Sequence, residues 1–115
     1  ELMDRFGEYP DVVAYLLEIG LVKSYLDKVF VERVERKENK ITVQFEKVTQ
    51  RLFLAQDYFK ALSATNLKAA IAENRGLMEV IFDVRNKKDY EILEGLLIFG
   101  ESLLEIKESK EINSL

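Results

Sequence analysis

Two stretches, ITVQFE (residues 41–46) and MEVIFDV (78–84), place apolar side chains at every second position. A period of two puts Ile41, Val43 and Phe45 on one side of a strand, with Thr42, Gln44 and Glu46 on the other. Met78, Val80, Phe82 and Val84 alternate in the same way with Glu79, Ile81 and Asp83. A helix scatters such residues around its axis, because its faces repeat every 3.6 residues, so both stretches predict half-buried strands. Each is preceded by a polar turn and a second strand-length stretch. VERVERK reaches ITVQF across KENK, around Asn39, and LKAAIA reaches LMEVIFDV across ENRG, where Gly76 is available for a positive φ. The chain therefore predicts two hairpins. Charge-rich and irregular, VERVERK suits a sheet edge, where like-charged copies do not add on.

Three helical stretches surround the hairpins. In PDVVAYLLEIGLVKSYLDKVF, Val12, Leu16, Ile19, Val22, Leu26 and Val29 recur at three- and four-residue spacing, and Val13, Leu17 and Leu21 widen the stripe. Pro10 and Asp11 suit a first turn, whose N–H groups lack partners and whose dipole favours an acid. Gly20 in that helix suggests a close backbone approach. RLFLAQDYFKALSAT predicts a second helix, with Leu52, Ala55, Phe59 and Leu62 on the buried face and Leu54 and Tyr58 beside them. DYEILEGLLIFGESLLEIKE predicts a third, N-capped by Asp89, with Ile92, Leu96, Phe99, Leu103 and Ile106 as its stripe, before a fraying polar tail from about residue 107. The order helix–hairpin–helix–hairpin–helix predicts an α+β fold, an antiparallel sheet with packed helices, as a single domain over residues 1–115. The two helix–hairpin units do not match residue by residue, so they are not read as a repeat.

Composition removes several kinds of chemistry. The 115 residues contain no histidine and no cysteine, so the commonest general base, the commonest metal ligand and any thiolate site are missing. The five serines have no histidine to pair with, and no Ser–Lys motif stands out. Gly95 and Gly100 have the spacing of a phosphate loop, but Glu101 and Ser102 follow where a lysine is required. No catalytic residue, cofactor or metal site is expected. The longest apolar run, GLLIFG, is far short of the roughly 20 residues of a membrane span. Together with the absence of a signal-peptide pattern, this predicts a cytoplasmic protein. The net charge of −4 disfavours a main role in gripping nucleic acid. The basic stretches ERVERKENK and RNKK alternate with acids or fall in turns, and are read as solvated.

The opening ELMDRFGEYP is the most distinctive stretch. It begins without methionine and reads as the start of a piece of a longer chain. Glu1, Asp4, Arg5 and Glu8 share one side of a helical turn, Leu2, Met3 and Phe6 lie largely opposite, and Gly7 breaks the turn before Pro10. The bland interpretation is a solvated acidic entry to a helix. The sharper one is an acidic docking face for a basic partner.

ELMDRFGEYPDVVAYLLEIGLVKSYLDK, continuing into VFVERVERKENKITVQF, resembles the C-terminal domain of the bacterial transcription-repair coupling factor (Mfd) family. That family shows E-L/M-x-D-R-F-G-x-x-P ahead of a helix and a strand. The resemblance is specific over residues 1–46 and persists from about Gln50 only as helical pattern. It implies a large ATP-driven DNA translocase as parent, which removes stalled RNA polymerase from damaged DNA and recruits UvrA. ATP and Mg would bind elsewhere in that parent. The resemblance further implies a non-catalytic, autoinhibitory role for this segment, which would pack on the parent's UvrB-like module and mask UvrA binding. The family motif places Glu1 and Asp4 toward that module, and Arg5 belongs to the same motif. Two other readings remain: a nucleic-acid-contacting accessory domain using RKENK and RNKK, and a structural dimerisation module. The isolated domain is expected to be a monomer with no membrane contact.

Overall fold

A computed structural model describes residues 19–113. Residues 19–28 are helical (α1). Strands β1 (Val31–Lys37) and β2 (Lys40–Phe45) follow, then the short helix α2 (Thr49–Leu52), helix α3 (Ala55–Ser63), strands β3 (Lys68–Asn74) and β4 (Leu77–Asp83), and helix α4 (Asp89–Asn113). The four strands form one antiparallel sheet in the order β1-β2-β4-β3. The fold is α+β, as the order of periodicities predicts. The two hairpins join through β2 and β4, which leaves β1 at one edge, where its charges suit it, and β3 at the other.

Register explains which residues form the core. Ile41 pairs with Phe82 and Val43 with Val80 across the central strands. All four are buried on one face, together with Phe45. Helix α4 covers that face with Ile92, Leu96, Phe99 and Leu103, the stripe its spacing predicts. Phe99 meets Phe45 and Phe82 edge-on, with ring centroids 6.2 and 5.3 Å apart. This geometry suits rings with electron-rich faces and positive edges. From α1, Val22, Leu26 and Val29 join the same cluster.

Both hairpins close on two-residue turns, since Lys37 pairs with Lys40 and Asn74 with Leu77. At Arg75 and Gly76, φ is 56° and 82°, the pair of positive values that matches the strand twist. In the first hairpin Glu38 takes the positive φ (56°). Phe30 also lies in the left-handed region (φ 63°), where the chain turns out of α1 toward β1. Its carbonyl accepts from the Glu46 N–H at 2.8 Å, and the Lys107 ammonium lies 5.7 Å from its ring centroid.

Four sequence expectations need correction. The stretch 51–65 is not one helix: Phe53 and Leu54 are extended, with ψ of 141° and 164°, and separate α2 from α3. The break directs Phe53 into the core against Tyr58 and resets the helical phase. Tyr58, Ala61 and Leu62 are therefore buried, whereas Phe59 and Leu54 are 58% and 59% exposed. Second, the polar tail is helical to Asn113, because Lys107 and Lys110 both make contacts back onto the fold. Third, Asp89 is the first helical residue of α4 and not its cap. The N–H of Lys88 is met by Glu91 Oε1 at 2.8 Å, while Asp89 pairs with Arg36 at 3.6 Å.

The fourth concerns glycine. The close approach between helices is made by Gly100, where an added Cβ would stand 3.1 Å from the Tyr25 Cβ and 3.4 Å from Leu26 Cδ2. Gly20 is exposed, and a Cβ there meets nothing within 4 Å. Gly20→Ala is thus expected to raise the unfolding free energy by about 0.5–1 kcal/mol, through helix propensity and a less flexible unfolded chain. Urea unfolding of the two proteins checks this, and a loss of stability would mean that Gly20 serves a contact.

Candidate functional site

The residues expected to dock, Glu1, Asp4 and Arg5, lie outside the described residues, as do Pro10 and the other residues of the expected first helix before residue 19. From residue 19 onward the structure shows how that helix is held. Val22, Leu26 and Val29 are buried in the shared core, and Gly100 lets α4 approach it closely. Helix α1 is therefore fixed to the sheet and α4 from Val22 onward.

A polar group of three linked contacts joins α4 to the α2–α3 break. Leu54 has no side-chain acceptor, so Asp57 supplies half of a capping box alone: its Oδ2 accepts from the Leu54 N–H at 2.8 Å. The same oxygen accepts from Lys110 Nζ at 2.6 Å, and Lys110 also donates to the Leu52 carbonyl at 2.9 Å. One lysine thereby satisfies an orphan carbonyl at the end of α2 and the buried acid that starts α3. Burial alone would push the Asp57 carboxyl up. The hydrogen bonds from Lys110 and Leu54, with the charges of Lys110 and Lys60, outweigh burial and hold it below its ordinary value. A groove of about 480 Å³ beside this pair is also lined by Ser63, Ser102 and Ser109. Lys110 Nζ is directed at the Asp57 carboxylate and the Leu52 carbonyl.

Two further buried groups are structural in form. On the sheet face opposite α4, Glu79 Oε2 accepts from Gln44 Nε2 at 2.9 Å and from Asn74 Nδ2 at 3.3 Å, which satisfies a buried carboxylate. Tyr58 is 1% exposed, and its hydroxyl has no hydrogen-bond partner among the described residues. Burial pushes its phenol above the ordinary value, and the nearby Asp57 charge acts in the same direction. Among the described residues no group of three or more acidic side chains could hold a metal ion, and no helix is long and apolar enough to cross a membrane.

The structure also brings together the two basic stretches that look separate in sequence. The Val84 N–H donates to the Asn39 carbonyl at 2.8 Å, which sets the segment after β4 against the β1–β2 turn. Lys37, Lys40, Asp83 and Lys68 are successive register partners across all four strands. Sequence spacing carried no signal for this row, because the pairing of β2 with β4 is non-local. The Asp57–Lys110 contact was hidden for the same reason.

The fold thus defines an α+β domain whose antiparallel sheet is covered on one face by helices. A family model described as the TRCF domain matches residues 1–56. A solved structure, the crystal structure of the C-terminal domain of transcription-repair coupling factor, is 91% identical and superposes with a TM-score of 0.87, covering 95% of this chain and 68% of that one. No match was found among curated proteins. The chain belongs to the family of C-terminal domains of transcription-repair coupling factors, which connects it to DNA repair. It is such a C-terminal domain rather than a catalytic one.

Proposed function

We propose that this domain is a non-catalytic regulatory clasp in transcription-coupled DNA repair. In this reading Glu1, Asp4 and Arg5 pack on the UvrB-like module of the parent chain and mask its UvrA-binding surface. The parent is an ATP-dependent DNA translocase that engages RNA polymerase, with ATP and Mg held in other domains. The observation that carries the reading is the family match over residues 1–56, which opens on the acidic ELMDRFG motif. Physical chemistry supports it. A clasp has to release, so its contact suits charged pairs, which set register and selectivity more than raw affinity. The fixed seating of α1 from Val22 onward favours delivery of such a contact from a stable platform.

The test mixes this chain with the separately produced UvrB-like module of the same parent. Binding is expected, weakening as salt rises through the Debye-screening range. Glu1→Lys with Asp4→Lys is expected to weaken it by about 10- to 100-fold, since like charges then face each other. UvrA binding by the module should recover in parallel. If binding is absent, or indifferent to both salt and charge reversal, these residues do not form the clasp.

A further inference from the structure

We infer that the sheet end formed by the β1–β2 turn, the start of β3 and the segment after β4 is a sequence-independent binding surface for the phosphate backbone of duplex DNA. The surface uses none of Glu1, Asp4 and Arg5, so this inference stands or falls independently of the clasp.

The first support is position. Lys37, Lys40 and Lys68 lie in one row across the sheet, interrupted by Asp83. With strands about 4.8 Å apart, the row spans about 14 Å, enough to face several successive phosphates. Arg85, Lys87 and Lys88 continue it along the segment leading into α4. That segment is held in place: Val84 N–H bonds Asn39, Lys87 N–H bonds the Val84 carbonyl at 3.1 Å, and Arg85 N–H bonds Asp83 Oδ1 at 3.0 Å. The cations are therefore presented by ordered backbone, which lowers the entropic cost of using them together.

The second support is availability. None of these six cations has an ion-pair partner within 4 Å among the described residues, although Arg36 beside them is paired with Asp89. All are exposed except Lys87, which is half-buried. A cleft of about 380 Å³ lies between Lys68 and the Arg85–Lys87 segment, with Asn66, Asp83 and Asn86 completing its walls. The net charge of −4 for the whole chain thus conceals a local cationic end.

The third support concerns the kind of partner. A protein interface is expected to have a desolvated apolar centre. Among the described residues this end shows none: the one large exposed apolar side chain there is Tyr90, 59% exposed at the start of α4. Unpaired lysines around polar turns match a ligand that is itself a regular array of charges. Phosphate contacts of this kind position a duplex without reading its sequence.

The experiment is fluorescence anisotropy of a labelled random-sequence duplex titrated with this chain. Binding is expected at about 50 mM salt and should weaken about 100-fold by about 200 mM if some four phosphates are engaged. Lys40→Gln with Lys68→Gln should lower the logarithmic salt slope by about two. Lys47→Gln with Arg51→Gln removes the same charge beyond the opposite end of β2 and should leave the slope unchanged. Circular dichroism melts check that all three proteins are folded. Absence of binding at low salt, or equal losses from both pairs of substitutions, would overturn the proposal. So would displacement of the duplex by polyglutamate as effective as by unlabelled duplex, since that would make this an acidic-protein surface.

Discussion

Phe99→Ala is expected to lower the unfolding free energy by about 3–5 kcal/mol, the range for removing a buried aromatic ring and leaving a partly collapsed cavity. Phe99 is fully buried and is the one α4 side chain that meets rings from both central strands. Its loss removes the covering helix's grip on β2 and β4 together. Against a total stability of about 5–15 kcal/mol for a domain of ordinary size, this is a large fraction. The measurement is urea unfolding, with the midpoint falling and the m-value retained. Phe99→Leu, which refills most of the volume, should recover much of the loss. A cost below about 1 kcal/mol for the alanine variant would mean that α4 does not seal this face.

The second large effect is expected at Asp57. Asp57→Ala removes the cap of α3 and the partner of Lys110, and should cost about 2–3 kcal/mol. That figure combines a lost N-terminal cap with a charge-assisted hydrogen bond, discounted for the solvent around Lys110. Asp57→Asn keeps an acceptor for Leu54 and should cost less. A double-mutant cycle with Lys110→Met isolates the pair, and an interaction energy near zero would show that capping alone matters.

The pH dependence follows from the same geometry. The Asp57 carboxyl titrates lower in the folded protein than in the unfolded chain. Its contribution to stability is therefore complete above about pH 4, the unfolded value, and is lost as pH falls through the depressed folded value. The stability gap between the wild type and Asp57→Asn should narrow on acidification below about pH 4. A gap that widened there would reverse the assignment.

The class of fold was legible because strand and helix periods are local. Ile41, Val43 and Phe45 had to share one face whatever lay beyond them, and so did Ile92, Leu96, Phe99 and Leu103. The same logic misplaced Phe59. Periodicity assumes an unbroken helix, whereas two extended residues at 53–54 shift every later position by a fraction of a turn. The favourable burial of Phe53 beside Tyr58 decides that break, and no local pattern announces it. Gly20 was misjudged for a related reason: a glycine's role depends on what faces it, and the neighbour of α1 is Gly100 of a helix distant in sequence.

For the candidate sites, the residues decided the family and the tertiary structure decided the neighbourhoods. The motif ELMDRFG, the absence of histidine and cysteine, the two hairpins and the edge character of VERVERK were all set by residue identity and short-range spacing. Three features were not: that β2 pairs with β4, that Lys110 reaches Asp57 across 53 residues, and that RKENK and RNKK meet at one end of the sheet. Each requires two distant segments to be brought together, and the chain entropy of closing those loops is recovered only by burying the shared core. Local pattern determines which side chains need burial, and only the assembled core determines which polar groups are left side by side.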